Sequence, residues 1–284
     1  MYITILVISY GILACNNRGE NTGNLQTLQH ATTPLGLLTL LSGYAEKWAS
    51  RNSMQARGAN VWRKSVEADE CNPGGYLYGD NDSFTMKGAE PPTPLGFDDG
   101  AFGYMGAPKG STEQHATQVA GAIEFSTALS TTLYTHDIAF VQGIKAAPNN
   151  KGLSERVPFI VERHFTRYQY TITINIPDAK EKGFSFPLFL ESLKYLAVGG
   201  NHASNATEIS PEVIAYRFHK APGRGGLYLG AGLDIPPNAP VDLAPLKAHC
   251  DNLGIDYNVA GTGTGKTVAQ ALQDILDEIT RLTG

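Results

Sequence analysis

The chain opens on a run that leaves little structural choice. Residues 2–10, Tyr2-Ile3-Thr4-Ile5-Leu6-Val7-Ile8-Ser9-Tyr10, are dominated by apolar and β-branched side chains. Such residues lose rotamer freedom in a helix and pack well on a pleated surface. A run that is apolar at consecutive positions, instead of alternating, fits a strand buried on both faces. It is too short to cross a bilayer as a helix. It leads into Ile12-Leu13-Ala14-Cys15, which imitates a lipoprotein cleavage site, but no Lys or Arg precedes Arg18 and a secretory signal needs a positive start. The expectation is a cytoplasmic chain that begins with a central strand. Cys15, Cys71 and Cys250 are odd in number and far apart, with no CxxC or Cys/His cluster, so neither zinc site nor disulfide framework is indicated. A reducing compartment fits them.

A polar loop follows the first strand, Asn16-Asn17-Arg18-Gly19-Glu20-Asn21-Thr22-Gly23-Asn24. The pattern then predicts a helix from about Ser42 to Met54, with Ser42 as N-cap and Tyr44, Ala45, Trp48 and the stem of Arg51 near one face. Residues 65–112 are rich in Pro and Gly and read as an insertion. Residues 116–135 suit one or two strands. Residues 136–166 suit a protruding hairpin whose tip is Ala147-Pro148-Asn149-Asn150-Lys151-Gly152. Tyr168–Ile176 alternates cleanly as a strand. A helix from about Pro187 to Val198 and short strands at Val213–Phe218 and Gly226–Leu233 come next. Val268, Leu272, Ile275, Leu276, Ile279 and Leu282 form the apolar stripe of a last helix. This order is compatible with an α+β fold of the ferredoxin-like βαββαβ type, as one domain over 1–284. Its insertions fall at about 65–112 and 136–166, and a strand-loop-helix follows over 255–284.

Of 284 residues, 42% are hydrophobic and 17% charged, so a packed core is expected. The formal net charge of -5 argues by itself against a nucleic-acid partner. Its distribution argues otherwise. Residues 1–66 hold six basic side chains (Arg18, Lys47, Arg51, Arg57, Arg63, Lys64) against Glu20 and Glu46, a local +4, whereas residues 67–100 hold eight acidic ones against Lys87, a local -7. A basic face and an acidic face can coexist on such a chain.

Among local motifs, Ala260-Gly261-Thr262-Gly263-Thr264-Gly265-Lys266-Thr267 approaches a P-loop, with Lys266 to reach a phosphate and Thr267 to hold magnesium. Its first position is Ala260, and 17 residues after Thr267 leave no room for a downstream magnesium-binding Asp. A Gly-rich loop capping the last helix explains the same residues. Asp98-Asp99 could hold a metal through its carboxylates or form a solvated turn. His202 is a ligand, a base or a hydrogen-bonded structural residue. No Ser/His/Asp or Cys/His arrangement can be assembled from local spacing. The polar loop after the first strand, with its small donors and glycines, suits contacts to a phosphate backbone or to ribose hydroxyls as well as an ordinary surface.

Four stretches in order carry a family resemblance: Asn16–Asn24; Leu41-Ser42-Gly43-Tyr44-Ala45; Phe97-Asp98-Asp99-Gly100-Ala101-Phe102-Gly103-Tyr104-Met105; and Gly199-Gly200-Asn201-His202-Ala203 with Ser210-Pro211-Glu212. Over most of residues 1–220 the chain resembles the DevR-type branch of the CRISPR-associated RAMP backbone proteins of type I (I-B-like) Cascade complexes. The resemblance implies an RRM-like palm with thumb and web insertions, and no catalytic residue, metal or cofactor. It implies a subunit that binds guide RNA (crRNA), stacks head to tail with copies of itself and joins other Cascade subunits. The guide is presented to target DNA, for antiviral defence or, with transposition proteins, for guided transposition; specificity then sits in base pairing. By match to the guide-contacting loop it nominates Asn17, Arg18, Asn21, Thr22 and Asn24, with Lys47, Arg51, Arg57, Arg63 and Lys64 as the positive field. Asn201 and His202 are placed near the RNA backbone. Phe102, Tyr104 and Met105 either wedge against a splayed base or pack the insertion onto the palm. Either insertion can be the thumb. Two other activities stay open from the residues: a metal-dependent RNA nuclease using Asp98 or Asp99, and a nucleotide-binding protein using Lys266.

Overall fold

The computed structural model describes residues 1–14, 21–22, 25–57, 63–65, 76–78, 97–106, 117–144, 156–198, 207–227 and 234–284. In chain order the strands are β1 (Tyr2–Ser9), β2 (Ile12–Ala14), β3 (Asn21–Thr22), β4 (Leu25–Gln26), β5 (Gln29–Thr33), β6 (Gly36–Leu41), β7 (Arg63–Ser65), β8 (Tyr76–Tyr78), β9 (Gly103–Gly106), β10 (Thr117–Ala120), β11 (Ile123–Phe125), β12 (Ala128–Ser130), β13 (Asp137–Ile144), β14 (Arg156–Thr166), β15 (Tyr168–Asn175), β16 (Ala197–Val198), β17 (Thr207–Glu208), β18 (Pro211–His219) and β19 (Asn258–Gly261). The helices are α1 (Gly43–Gln55), α2 (Phe97–Phe102), α3 (Ile176–Glu181), α4 (Phe186–Ser192), α5 (Ala244–Leu253) and α6 (Val268–Thr283).

β1 is the axis of the main sheet. It pairs antiparallel with β15 on one side and β18 on the other, placing Ile5 opposite both Ile172 and Tyr216. The sheet runs β19-β18-β1-β15-β12-β6-β5, and β11 shares the β15 edge with β12. With β11 as second strand, the order β18-β1-β15-β11 and the helices α1 and α4 reproduce the expected ferredoxin-like βαββαβ arrangement. Two additions extend it. The β5–β6 hairpin, inserted between β1 and α1, lengthens the sheet through β12, and β19 with α6 adds to the β18 edge.

Both sheet faces are covered. Ile3, Ile5 and Val7 join Tyr170, Ile172 and Ile174 of β15, Phe189 and Leu190 of α4, and Leu272, Ile275 and Ile279 of α6 in one core. On the opposite face, Leu6 and Ala215 meet Leu246 and Cys250 of α5. The expected run in β1 is thus buried on both sides, and each such aliphatic side chain contributes about 1.5–3 kcal/mol. β15 is buried at seven of its eight positions, so its alternating residues, Thr171 and Thr173 included, lie inside on both faces. No helix among the described residues is long and apolar enough to cross a membrane.

The first helix starts where predicted but turns another face inward. Ser42 caps it, its Oγ accepting the Ala45 amide at 3.3 Å. A Cβ on Gly43 would stand 2.9 Å from the Phe125 carbonyl oxygen, so glycine is required for the helix start to lie on β11. The buried positions are Glu46, Ala49, Ser50, Ser53 and Met54, while Tyr44 is 84% exposed. Small residues let the helix axis approach the sheet closely, and this outweighs the aromatic face read from the sequence. Three further corrections apply. The helix expected over 187–198 is α4 followed by a 3-10 turn at Leu193–Tyr195; α3 and α5 had no clear periodic signal. The strand expected at Gly226–Leu233 lies outside the described residues after Leu227, and Gly225–Gly226 is a turn. The acidic stretch over 67–100 is described only at 76–78 and 97–100.

Two buried charged sites shape the energetics. Where β14 turns into β15, Arg167 donates to Glu212 through Nε (2.8 Å) and Nη2 (3.2 Å), and through Nη1 to the Pro236 carbonyl. This pair ties the β14–β15 corner to the start of β18 and to the segment after residue 234. Burial is offset only by such bidentate geometry. Removing one partner, as in Glu212→Ala, should cost roughly 3–5 kcal/mol in urea unfolding, and Arg167→Met/Glu212→Leu together should cost markedly less.

Glu46 is the other. Its Oε1 accepts the Ala128 amide at 2.9 Å, and Oε2 is buried without a partner. Burial pushes its pKa well above the usual carboxylate range, against the Ala128 hydrogen bond and the Lys47 charge. A raised folded-state pKa means that the folded chain holds the proton longer. Its stability contribution is full at acid pH and is lost as pH rises from the ordinary carboxylate value through the folded one. Glu46→Gln should therefore gain in melting temperature relative to the parent as pH is raised from about 5 to about 8, and a constant gap between the two proteins would refute this.

Candidate nucleic-acid interface

Strand β14 is the anchor of the loop nominated as guide-contacting. β2, just before that loop, pairs antiparallel with β14, Ala14 opposite His164 and Ile12 opposite Thr166. The chain returns as β3 and β4, which pair with each other, Asn21 opposite Gln26 and Thr22 opposite Leu25. β4 then runs parallel to β14, Leu25 opposite Ile160 and Gln26 opposite Val161. Departure and return are therefore about four residues of β14 apart, roughly 13 Å. Asn21 and Thr22 have a defined backbone here; Asn17, Arg18 and Asn24 lie outside the described residues.

The polar side chains at this neck are buried. His164 Nδ1 is 2.8 Å from Thr39 Oγ1 and its Nε2 is 3.3 Å from Thr132 Oγ1. Burial lowers the His164 pKa to about 4, outweighing a hydrogen bond to the Leu133 backbone, with the nearby His30 lowering it further. Glu162 Oε2 accepts the Leu28 amide at 2.8 Å and lies 3.5 Å from His30 Nε2. On the other side of β14, β13 completes the expected hairpin, with Ile138 opposite Glu162 and Phe140 opposite Ile160. Ile138 and Phe140 are 53% and 66% exposed on this edge strand.

The nominated turn at 199–203 lies between β16 and β17, which pair Ala197–Glu208 and Val198–Thr207; Asn201 and His202 themselves are outside the described residues. β17 lies against β2, and α1 lies against β16. The fold thus gathers the strand that leads into the nominated loop, the strands that flank residues 199–203 and the first helix.

The cations of α1 are spread along the helix. Lys47 stands 5.9 Å over the Tyr44 ring, and burial with the charge of Arg51 lowers its pKa, partly offset by Glu124 and Glu46. The Arg51 guanidinium lies 4.9 Å over Phe102. Arg57, just past the helix, donates to Ser53 and lies 4.9 Å over Tyr195. Arg63 and Lys64 are in β7, which pairs with β8; their side chains, like those of Tyr104 and Met105 in β9, are not described.

Phe102 resolves one open alternative. It is 6% exposed and sits in the main core beside Phe125, so it packs α2 onto the palm and is not a base wedge. Asp98 and Asp99 lie in α2, not in a turn. Among the described residues no group of three or more His, Cys, Asp or Glu side chains could hold a metal. Other members of the four motif stretches also act structurally. Ser42 and Gly43 seat α1, the Ser210 Oγ accepts the Leu196 amide at 3.0 Å, and Glu212 holds Arg167.

The near-P-loop is built for capping. β19 is an antiparallel edge strand on β18, and a Cβ on Gly261 would run into the Glu212 carbonyl oxygen. Thr267 and Gln270 form a reciprocal capping box, and Lys266 pairs with Asp274. The Thr267 hydroxyl and Lys266 amine, which a P-loop would turn to magnesium and phosphate, are engaged within the chain. An open pocket of about 420 Å³ lies beside it, lined by Tyr10, Lys194, Glu212, Thr262, Thr267 and Ala269 among others.

No family model matches the chain. It is 27% identical over 223 residues, 72% of this chain and 68% of the relative, to a CRISPR-associated protein Cas7/Cst2/DevR of Myxococcus xanthus (strain DK1622). In three dimensions it matches a chain of a solved structure named as a CRISPR RNA-guided surveillance complex, pre-nicking, with a TM-score of 0.62 at 16% identity over 99% of this chain and 100% of that one. A chain of a second structure, a CRISPR RNA-guided surveillance complex, matches with a TM-score of 0.54 at 16% identity and the same coverage. The chain therefore has the fold of these surveillance-complex chains and is similar in sequence to a Cas7/Cst2/DevR protein.

Proposed function

We propose that this chain is a non-catalytic, crRNA-binding backbone subunit of a Cascade-type CRISPR surveillance complex. The observation that supports this is convergence: β2, which leads into the nominated loop, the strands β16 and β17 that flank residues 199–203, and α1 lie together beside β14 on a ferredoxin-like palm with the fold of surveillance-complex chains. Such a subunit binds its guide without regard to sequence, so small polar donors and cations toward phosphate and ribose suit it better than base-reading pockets. Asn17, Arg18, Asn21, Thr22, Asn24, Asn201 and His202 are the proposed contacts, with Lys47, Arg51, Arg57, Arg63 and Lys64 as the surrounding positive field. The β13–β14 hairpin is the proposed thumb, because it rises from the strand that anchors the guide-contacting loop and exposes Ile138 and Phe140. Copies stack head to tail along one guide in the manner of I-B-like complexes, with the acidic 67–100 stretch meeting a neighbour's basic surface. The guide is thereby presented to target DNA, and the complex serves defence or guided transposition in the cytoplasm.

The test is to co-express the full chain with a CRISPR array and its candidate partner subunits, purify it, and run the bound nucleic acid on a denaturing gel. One discrete RNA of guide length in a multi-copy particle is the expected result. An RNA-free monomer would overturn the proposal.

A further inference from the structure

We infer that Glu162 is a positioning residue for the guide-contacting strand β3, acting through the backbone of Leu28. The inference rests on the guide-binding function proposed above. Glu162 stands on β14 between the two places where the loop is fastened, one residue beyond the Val161–Gln26 pair and two before the His164–Ala14 pair. It is 4% exposed. A carboxylate so placed is costly unless its oxygens are used. Here Oε2 accepts the amide of Leu28, the second residue past β4, at 2.8 Å. His30 Nε2 lies 3.5 Å from the same oxygen without hydrogen-bonding it, and the His30 ring lies 4.8 Å from that of Tyr134.

The connection to the RNA side is short. Leu28 continues from β4, β4 carries β3 through the Asn21–Gln26 and Thr22–Leu25 pairs, and Asn21 and Thr22 are proposed guide contacts. Only two residues of β4 pair with β14, which is little to hold a strand. The Glu162–Leu28 hydrogen bond extends that attachment beyond the end of the ladder, and its acceptor is charged, which makes the bond a strong one. Because Glu162 also lies opposite Ile138, the same residue fixes β3 relative to the β13–β14 hairpin. No sequence signal marks this role: Glu162 stands 134 residues from Leu28, within a strand that reads as an ordinary hairpin arm.

The test uses the full chain and three variants. Glu162→Gln keeps an acceptor for the Leu28 amide, Glu162→Ala removes it, and Glu162→Leu removes it while filling the same volume. Hydrogen exchange of the RNA-free proteins reads the Leu28 amide, and fluorescence anisotropy reads binding of a guide-length single-stranded RNA. In Ala and Leu variants Leu28 exchange should rise at least about tenfold and RNA affinity fall about tenfold, the equivalent of one charged hydrogen bond. Glu162→Gln should restore most of both. In an Asn21→Ala/Thr22→Ala background the Glu162 substitutions should cost little further affinity, since they act through the same contacts. Fully additive losses, or faster Leu28 exchange with unchanged RNA affinity, would overturn the positioning role. An affinity loss in the Gln variant as large as in the Leu variant would do so too. If the parent protein does not bind RNA at all, it is the guide-binding function that fails, and the positioning role goes with it. The Leu28 exchange data would then still show whether the hydrogen bond holds β4. Should the Ala variant fail to fold, the Gln and Leu pair carries the comparison.

Discussion

Every layer of this molecule is stacked on one strand. β1 carries side chains into a core on each of its faces, so it cannot slip in register by one residue without exchanging the two sets. Its neighbours β15 and β18 are separated from it by most of the chain length, and both are set by pairing with it. The helices α1, α4 and α6 close one face and α5 the other. Long-range antiparallel pairing of this kind costs loop-closure entropy that the central apolar run must offset.

Once the palm is set, buried polar groups fix its corners. Arg167 and Glu212 join the β14–β15 turn to β18, Glu46 joins α1 to β12, and Glu162 joins β14 to the segment after β4. Each carboxylate takes a backbone amide or a guanidinium, as buried acceptors must. These attachments lie close to the segments proposed to meet RNA. A surface that follows a phosphate backbone needs small donors held in place more than it needs deep pockets, and the palm supplies the holding.

The motif stretches that carry the family resemblance divide between two jobs. Ser42, Gly43, Phe102, Ser210 and Glu212 have structural work: capping, close approach, packing, an amide acceptor and an ion pair. A short motif recurs when residue type is constrained, and capping or close approach constrains it as tightly as ligand binding does. Phe102 illustrates this, since an aromatic next to glycines reads equally as a wedge and as a plug until its exposure is known. The near-P-loop is similar: glycines, Lys266 and Thr267 serve a tight turn, an ion pair and a helix cap.

The sequence by itself determined the local structure. The apolar run of β1, the β13–β14 hairpin, the strand β15, the Ser42 cap and the stripe of α6 were all legible, because periodicity and capping chemistry act over a few residues. The nominated polar loop was legible as a composition, and the guide-contacting role proposed for it came from the family resemblance. Only the tertiary structure decided which face of α1 is inward, since the small residues Ala49, Ser50 and Ser53 permit a close approach that hydrophobicity does not reveal. Only the tertiary structure brought β2 beside β17 and set Glu162 under Leu28, because those contacts join positions whose pairing leaves no trace in local pattern. Residue type governs what a segment can form, while the location of a site depends on which distant segments the sheet order makes neighbours.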